Sequence, residues 1–507
     1  MTSDYLKQIA KARVYDVAIE SPLEEANLLS RRLDQQVWLK REDLQPVFSF
    51  KLRGAYNKLA ALTKNARERG VICSSAGNHG QGVAFAGRKL GIHTTIVMPE
   101  TTPGIKVDAV RMLGGDSVLH GANYDEAQAH AAALADEGGL TFVHPFDDPA
   151  VIAGQGTIAV EIFRQHPDSI DAIFVPVGGG GLIAAIAMYG KSVSPNTRII
   201  GVEPVESASM YAAIAAGHPV TLDHVGSFAD GVAVKRVGDE TFRLAKELID
   251  EMILVDTDDI CAAIQDGFQA NRAILEPAGA LALAGLKKHA EATDRRNQTL
   301  VAICSGANMN FNGLRHVAER AAVGEHTEAL LAVEIPEQPG SFLKFCKTIG
   351  RRNVTEFNYR IGDEKTAKIF VGLELRHGAS EAEEIVEKLQ RSGYPVLDLT
   401  HNEVATLHIR HMVGGIAPNI RDERILRFEF PERPGALLEF LQAIGDRWNI
   451  SLFHYRNHGS DYGRVLAGVQ VPESERAQFG RHLDALAYLY WDETDNPAYR
   501  IYLSGKR

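Results

Sequence analysis

The pattern of apolar and polar positions along the chain changes near residue 320. Up to that point, short runs rich in β-branched residues alternate with alanine-rich stretches of helical periodicity. The predicted strands include residues 94–99, 172–177, 199–203 and 299–304, and the predicted helices include 82–90, 124–137 and 241–250. This alternation is typical of parallel sheets covered by helices, so residues 1–320 are predicted to form an α/β domain.

After residue 320 the chain contains a duplicated unit. The segment Glu334-Ile-Pro-Glu-Gln-Pro-Gly returns as Glu429-Phe-Pro-Glu-Arg-Pro-Gly, and a second block beginning at Asn353 returns at Asn449. Each copy reads strand, Pro-Gly turn, helix, two strands, helix and strand, which predicts two α+β domains of the ferredoxin-like order. The predicted ranges are 329–401 and 424–495 for the two domains, and 318–327 and 401–422 for the connections.

Composition excludes several classes of protein. The 507 residues carry a formal net charge of −11, which argues against a nucleic-acid binder because such proteins normally present a basic face. The four cysteines are scattered without a CxxC pair, so reduced thiols in a cytoplasm are expected rather than disulfides or a zinc site. Residues 1–20 mix charged with apolar positions and lack the apolar core of a secretory signal.

One uncharged stretch, residues 172–190, is nearly as long as a membrane span, which needs about 20 apolar residues. Pro176 and the glycines at 178–181 interrupt this stretch, and glycine is a poor helix former. A buried strand, a turn and a helix are therefore predicted here, and no membrane partner is expected.

Lys51 lies in the segment Ser49-Phe-Lys-Leu-Arg-Gly, with apolar neighbours on both sides. Apolar surroundings penalise the ammonium form and lower the pKa of a lysine, which makes its neutral amine available for covalent chemistry. Taken by itself, the segment favours a surface lysine at the start of a helix. Only the other motifs change that interpretation.

A second segment, Ser74-Ser-Ala-Gly-Asn-His-Gly-Gln, lies between a predicted strand at 71–73 and an alanine-rich helix. Small residues at a helix N-terminus let backbone N–H groups approach an anion, and the amide of Asn78 can donate to an oxygen. A plain glycine-rich connection is the alternative. His79 is expected to pack or to orient its neighbours rather than to act as a base.

Four successive glycines followed by Leu182 lie between the predicted strand at 172–177 and a helix. Bare backbone amides at a helix N-terminus can cradle a phosphate. A dinucleotide site is the alternative, but the spacing is not GxGxxG and the chain has no GxxxxGK[ST] motif. A cofactor with one phosphate and no nucleotide therefore fits better.

Ser305 follows the apolar run at 299–304, in the segment Cys304-Ser-Gly-Ala-Asn. Its hydroxyl could bond the nitrogen of a heterocycle without forcing that nitrogen to be protonated. In isolation, a helix N-cap explains the serine equally well.

Together these segments resemble the fold-type II enzymes that depend on pyridoxal 5'-phosphate (PLP), and among them the threonine/serine dehydratases. The resemblance includes the Lys51, Asn78 and Ser305 motifs, the glycine run, Lys40-Arg-Glu-Asp-Leu-Gln-Pro and Gly201-Val-Glu-Pro. It extends over essentially the whole chain, because the duplicated tail is similar to the paired ACT-like regulatory domains of biosynthetic threonine deaminases. Residues 1–320 would then be the PLP-dependent catalytic domain.

The resemblance implies a role for each matching residue. Lys51 would carry the cofactor and move the Cα proton of the substrate, and Phe50 would lie against the pyridine ring. Asn78 would bond the ring hydroxyl oxygen, and Ser305 would meet the ring nitrogen. The implied phosphate-binding residues are Gly178, Gly179, Gly180, Gly181 and Leu182, and the implied substrate-binding residues are Ser75, Ala76, Gly77 and Asn78.

Two departures from the family pattern refine the expectation. Serine racemases carry a serine at the position of Ala76, which is their second acid/base, so its absence predicts elimination without racemisation. The aspartate that completes the metal site of some relatives is replaced here by Ser209. No required metal is therefore predicted, and Glu203 is expected to be structural.

The implied function is the removal of water and ammonia from L-threonine to give 2-oxobutanoate, the first committed step of isoleucine biosynthesis, by a cytoplasmic homotetramer. Isoleucine would inhibit and valine would activate through the tail, with the Pro-Gly turns near Pro339 and Pro434 as candidate effector sites. Two alternatives stay open. One is a serine dehydratase or another β-eliminating PLP enzyme that acts on L-serine, and the other is an amino-acid-sensing regulator with an inactive catalytic domain.

Overall fold

The computed structural model of the chain describes residues 2–360, 365–415, 417, 420–431, 436–444, 447–456, 462–486 and 488–503. The chain divides into unit 1 (Met1–Ala321) and unit 2 (Ala322–Arg507). The strands of unit 1 are β1 (Leu23–Glu25), β2 (Gln36–Arg41), β3 (Val71–Ser74), β4 (Thr94–Met98), β5 (Asp116–Leu119), β6 (Thr141–Phe142), β7 (Ala172–Pro176), β8 (Arg198–Pro204), β9 (Glu251–Val255) and β10 (Thr299–Cys304).

The helices of unit 1 begin with the short N-terminal α1 and end with α14, which continues into unit 2. They are α1 (Thr2–Ala10), α2 (Asn27–Leu33), α3 (Lys51–Ala60), α4 (Lys64–Arg69), α5 (Asn78–Leu90), α6 (Gly104–Met112), α7 (Tyr124–Gly138), α8 (Pro149–Gln165), α9 (Gly181–Val193), α10 (Ser209–Ala216), α11 (Asp239–Ala245), α12 (Thr257–Asn271), α13 (Pro277–Ala292) and α14 (Gly313–Gly324).

Two sheets organise unit 1. The larger has the order β1-β2-β10-β7-β8-β9, and each neighbouring pair is parallel except β1–β2 at the edge. The smaller has the order β5-β4-β3-β6 with parallel pairs throughout. Each residue of β7 and β10 is buried, as expected where helices cover both faces of a parallel sheet. The predicted α/β class with parallel sheets is confirmed, and β1 is an antiparallel addition.

The predicted strands at 94–99, 172–177, 199–203 and 299–304 agree with the structure to within one residue at each end. The predicted helix at 241–250 is wrong in its second half, because α11 ends at Ala245. Asp250 N donates to Ile199 O at 2.9 Å, and the Asp250 carboxylate accepts from Ile199 N at 2.7 Å. These bonds join Asp250 to β8 of the larger sheet in place of helical ones.

Unit 2 contains the duplicated copies. Its strands are β11 (Glu328–Pro336), β12 (Val354–Arg360), β13 (Thr366–Glu374), β14 (Val396–Asp398), β15 (Glu423–Pro431), β16 (Asn449–Arg456), β17 (Tyr462–Gln470) and β18 (Leu489–Asp492). Its helices are α15 (Ser341–Ile349), α16 (Ala379–Arg391), α17 (Glu403–Leu407), α18 (Ala436–Ile444), α19 (Arg476–Ala485) and α20 (Pro497–Tyr502).

Each copy follows the predicted βαββαβ order, and the two copies share one antiparallel sheet. The order is β14-β11-β13-β12-β16-β17-β15-β18, in which β12 of the first copy pairs with β16 of the second. The ring of Phe342 lies 4.5 Å from that of Phe357 and 5.1 Å from that of Phe453, centroid to centroid. The hydrophobic core is therefore continuous across both copies, which the sequence pattern did not predict.

The predicted connections also contain helices. Residues 318–327 begin within α14, and residues 401–422 contain α17, so the domain ranges 329–401 and 424–495 stay predictions. Residues 172–190 form β7, the glycine run and most of α9. Within the ranges given above, no helix is long and apolar enough to cross a membrane. The cysteines are buried free thiols.

Candidate active site

Lys51 is the first residue of α3, and close backbone contacts hold this helix on two sides. A Cβ at Gly82 of α5 would lie 3.2 Å from the backbone nitrogen of Leu52. A Cβ at Gly154 of α8 would lie 2.7 Å from the Cα of Gly54. Both neighbouring helices therefore approach α3 where a larger side chain would force it away, and the position of the lysine is set by packing.

A buried network of charges lies beside the same helix. Arg53 donates to Glu42 from Nε at 2.8 Å and to Glu161 from Nη2 at 3.0 Å, and Lys40 Nζ donates to Glu161 at 2.6 Å. These four side chains are fully buried. Two positive and two negative charges balance, and the shared hydrogen bonds offset the cost of removing the charges from water.

The amine of Lys51 contacts a backbone oxygen and an aromatic ring. Nζ donates to the backbone oxygen of Pro145 at 2.9 Å and lies 5.3 Å from the centroid of the Phe50 ring. Desolvation lowers the pKa of Lys51 to about 8, because it penalises the ammonium form. A lysine with this pKa has a neutral, nucleophilic fraction near physiological pH.

The glycine run connects β7 to α9, and its backbone lies where side chains do not fit. Gly180 has a φ of 93°, in the left-handed region that favours glycine. A Cβ at Gly179 would lie 2.2 Å from the ring of Phe146, and one at Gly181 would lie 2.9 Å from the Phe146 backbone oxygen. The run ends at the N-terminus of α9, where the first N–H groups have no intrahelical acceptor and can bind an anion.

The dipeptide Pro145-Phe146 brings the lysine and the glycine run together. Pro145 accepts the hydrogen bond from Lys51 Nζ, and the next residue packs directly against Gly179. Two motifs that are far apart in the sequence therefore lie on either side of one short segment.

Residues 75–78 form the turn between β3 and α5 and are partly exposed. Gly77 N donates to Ser75 Oγ at 3.2 Å, which folds the turn toward the start of the helix. The next residue, His79, is buried, with Nε2 bonded to Val143 O at 2.9 Å. Burial lowers the pKa of His79 to about 3, so this imidazole is neutral and unsuited to act as a base near neutral pH.

Asn78 is the first residue of α5 and is bonded on both sides of its amide. Its Nδ2 donates to Oε1 of Glu276 at 2.6 Å, and its Oδ1 accepts from Nδ2 of Asn308 at 2.7 Å. A Cβ at Gly231 would lie 3.9 Å from Asn78 Nδ2. The amide therefore lies among three different loops of unit 1.

Ser305 follows β10 and is buried. Its hydroxyl donates to Ala278 O at 3.2 Å, and its backbone oxygen accepts from Phe50 N at 3.2 Å. The second bond joins the serine to the residue beside Lys51. The hydroxyl has one proton, so donation to a ring nitrogen would replace its bond to Ala278.

The structure brings the predicted cofactor residues into one cluster. Residues 231 and 232 connect the glycine run with Asn78. A Cβ at Gly178 would lie 3.1 Å from the Val232 Cα, and the preceding residue, Gly231, faces Asn78. The cluster contains an amine of lowered pKa for the aldehyde of PLP and a glycine cradle, which a Cβ would fill, for its phosphate. It also contains polar side chains for the heterocycle, so these residues fit PLP. The predicted residues in it are Phe50, Lys51, Asn78, Gly178, Gly179, Gly180, Gly181, Leu182 and Ser305.

Glu276 and the Pro145-Phe146 dipeptide were not predicted from the sequence. Glu276 is the only charged residue between Arg272 and Lys287, a signal that could have identified it. The dipeptide carries no comparable signal, because its contribution is a backbone oxygen and a packed ring.

Glu203 lies near the end of β8 and caps a helix. Its carboxylate accepts from Met210 N at 2.8 Å and from Tyr211 N at 2.9 Å, both in the first turn of α10. Burial raises the pKa of Glu203 to about 7. Among the residues that the structure describes, no group of His, Cys, Asp or Glu is arranged to hold a metal ion. That the chain requires no metal stays a prediction.

Two protein families match the chain. The family described as pyridoxal-phosphate dependent enzyme matches residues 14–306. The C-terminal regulatory domain of threonine dehydratase matches residues 319–409 and again 414–503. The second match is itself duplicated, in agreement with the internal repeat.

Curated relatives extend the likeness over the full chain. The biosynthetic L-threonine dehydratase of Burkholderia multivorans is 58% identical over 504 residues, which cover 99% of each chain. Its Escherichia coli counterpart is 54% identical over 503 residues, covering 99% of this chain and 98% of that one.

A solved structure is similar to this chain in both sequence and fold. The processed form of threonine deaminase isoform 2 from Solanum lycopersicum has a TM-score of 0.63 and 55% identity. The match covers 64% of this chain and 88% of that one. The chain therefore belongs to the biosynthetic threonine dehydratases, PLP-dependent lyases that carry a C-terminal regulatory region.

Proposed function

We propose that the chain removes water and ammonia from L-threonine to give 2-oxobutanoate, the first committed step of isoleucine biosynthesis. The observation that carries the proposal is the Lys51 amine, whose pKa is about 8, beside a glycine cradle and two ring-binding side chains. Membership of the biosynthetic threonine dehydratases supports the choice of substrate.

In this proposal Lys51 binds the cofactor and moves the substrate Cα proton. PLP, when bound, supplies an electron sink for negative charge at Cα. The lowered pKa of Lys51 lets its Nζ accept and return a proton near neutral pH. Packing of α5 and α8 against α3 keeps this nitrogen in one place.

The other predicted residues orient the cofactor and the substrate. The amides of Gly178, Gly179, Gly180, Gly181 and Leu182 hold the phosphate, Asn78 donates to the ring hydroxyl oxygen, and Ser305 meets the ring nitrogen. The backbone amides of residues 75–78 bind the substrate carboxylate, because the N-terminus of α5 favours an anion. Ala76 carries no proton donor, so nothing at this position returns a proton to the opposite face of Cα.

We further propose that an aliphatic amino acid regulates the enzyme through unit 2, with isoleucine as inhibitor and valine as activator. A shallow, open cavity of about 30 Å³ lies beside the first Pro-Gly turn, at Gly340. Glu337 lies on its wall, accepting from Tyr359 Oη at 2.7 Å, and can bind an ammonium group. Leu441 and Ile450 provide apolar surface for a branched side chain. The candidate turn at Pro434 lies outside the described residues.

Two finer expectations complete the proposal. The family resemblance implies a homotetramer in the cytoplasm. L-Serine is expected as a second substrate, because the methyl group that distinguishes it from threonine is worth only about 1–3 kcal/mol of discrimination.

The first experiment follows the visible spectrum of the purified full-length chain and then 2-oxo acid formation from L-threonine. We expect a visible cofactor band and 2-oxobutanoate, both lost in Lys51→Ala. A colourless protein that PLP cannot reconstitute would contradict the proposal. A coloured but inactive protein would favour the amino-acid-sensing regulator, and a higher kcat/KM for L-serine would favour a serine dehydratase.

A second experiment tests the regulation. Removal of the residues after Gly324 should abolish inhibition by isoleucine while activity toward threonine remains, because the Lys51 cluster lies in unit 1. Undiminished inhibition of the shortened enzyme would show that the regulatory assignment is wrong.

A further inference from the structure

The amide of Asn78 is held by partners that decide which way it faces. Nδ2 of Asn308 donates to Val47 O at 2.8 Å and to Asn78 Oδ1 at 2.7 Å. A carbonyl oxygen only accepts, so the Asn308 atom that contacts Val47 is its nitrogen. The Asn78 atom that faces the same nitrogen is then its oxygen, and the nitrogen of Asn78 points the other way.

Glu276 receives that nitrogen. Its Oε1 accepts from Asn78 Nδ2 at 2.6 Å, its carboxyl also accepts from the backbone of Asn308, and only 4% of the residue is exposed. The backbone nitrogen of Glu276 donates to Gly306 O at 3.1 Å. An amide nitrogen carries two N–H groups, so one of them remains for another acceptor after Glu276 has taken the first.

We propose that Glu276 is a positioning residue of the cofactor site: by accepting one N–H of Asn78, it directs the second toward the ring hydroxyl oxygen of PLP. The inference rests on the proposed function, since it requires PLP beside Asn78. A Cβ at Gly306 would lie 2.3 Å from Glu276 Oε1, so the carboxyl also packs against the loop that carries Ser305. One buried side chain therefore supports both polar contacts to the ring.

The ionisation of Glu276 should make its hydrogen bond to Asn78 depend on pH. Burial raises the pKa of Glu276 to about 7, with a smaller rise from Asp230, while the bond from Asn78 and the charge of Lys106 act in the opposite direction. The carboxyl is therefore mainly protonated below about pH 7 and mainly ionised above it. An ionised acceptor makes the stronger hydrogen bond, so the contact between Asn78 and the cofactor oxygen should respond to the same titration.

The test measures PLP binding to the cofactor-free, full-length enzyme by its visible absorbance. Glu276→Leu removes the acceptor, whereas Glu276→Gln keeps a carbonyl oxygen in its place. Loss of a hydrogen bond to an ionised group predicts about 10- to 100-fold weaker PLP binding for Glu276→Leu, and less than about 5-fold for Glu276→Gln. Once PLP is bound and Lys51 is no longer a free amine, the wavelength of the visible band should shift across pH 7 in the wild type and not in Glu276→Gln.

A double variant separates positioning from a merely structural role. In an Asn78→Ala background, Glu276→Leu should weaken PLP binding by less than about 2-fold, because the side chain through which it acts is absent. Glu356→Leu is the matched control, since it removes another buried carboxyl, one that accepts from Arg410 in unit 2. This control should bind PLP as the wild type does.

The proposal is overturned if Glu276→Leu binds PLP normally or if its effect is undiminished in the Asn78→Ala background. It is equally overturned if the pH response persists in Glu276→Gln, and this outcome decides the matter even where Glu276→Leu does not fold. A wild-type chain that fails to bind PLP would contradict the proposed function, which is a different result.

Discussion

Unit 1 and unit 2 are both built from strands and helices, but they bring residues together in different ways. In unit 1, the residues around Lys51 follow strands of two sheets, and within each sheet the carboxyl ends of the parallel strands lie at the same edge. In unit 2, antiparallel pairing of β12 with β16 places the two copies side by side, and residues of both copies line one cavity. The candidate active site thus depends on loops and single contacts, whereas the candidate effector site depends on the pairing of the copies.

The buried charges of the two units also differ in what they connect. The network around Arg53 holds one helix, α3, in place. In unit 2, Arg360 of the first copy pairs with Glu423 of the second and donates to Leu503 O at 2.8 Å. In unit 1 the buried charges therefore hold the helix that begins at Lys51, and in unit 2 they join the duplicated halves.

Arg53→Met should produce the largest effect and test whether the network acts on unit 1 alone. It leaves two fully buried carboxylates with one fewer partner, and breaking such a pair costs about 3–5 kcal/mol of stability. Urea unfolding of the cofactor-free enzyme measures the loss, and calorimetry should find isoleucine binding to the folded protein unchanged.

Arg164→Met is the control for this change. Arg164 pairs with Glu20 while both side chains are well exposed, so the free energy of unfolding should hardly move. Equal destabilisation by the two variants would contradict the role assigned to the buried network.

Gly179→Ala should weaken PLP binding by about 10- to 100-fold, the range expected from an overpacked contact. The added Cβ would lie 2.2 Å from the ring of Phe146, which must move together with the neighbouring Pro145 and so disturb Lys51 as well. Spectroscopic titration with PLP measures the affinity. Gly104→Ala adds the same methyl group where no atom lies within 4 Å, and it should bind PLP normally.

Tyr359→Phe should weaken isoleucine inhibition by about 3- to 10-fold, because it removes one hydrogen bond to Glu337 in the cavity wall. Activity without isoleucine should stay the same. Inhibition curves measure the change, and Tyr490→Phe, which loses a bond to Asp484 elsewhere in unit 2, is the control. An equal shift in both variants would mean that the cavity has no special role.

The titration of Lys51 itself can be tested without a mutation. Because the pKa of Lys51 is about 8, PLP capture by the cofactor-free enzyme should speed up by about tenfold per unit as pH rises toward 8, and then level off. Stopped-flow absorbance measures the rate. A cofactor analogue without the aldehyde should not show this rise, and a rate that climbs on toward pH 10 would indicate an ordinary lysine.

The fold and most of the candidate site could be predicted from local signals. β-Branched runs between alanine-rich stretches indicated the parallel sheets, and the glycines at 178–181 indicated the turn from β7 into α9. The structure of residues 246–250 could not be predicted, because the bonds of Asp250 join it to a strand that is distant in the sequence. Glu276 was missed for a similar reason, since its meaning comes from Asn78, which is far away in the sequence.

By itself, the sequence determined which segments could bind a cofactor, a lysine among apolar neighbours and glycines before a helix, and that the tail is duplicated. These are properties of short segments, and local sterics and solvation decide them. Only the tertiary structure decided that Pro145 and Phe146 join Lys51 to the glycine run, that Asn78 donates to Glu276, and that β12 pairs with β16. Such contacts depend on which residues, far apart in the sequence, approach one another in the fold, and a local sequence pattern does not encode this.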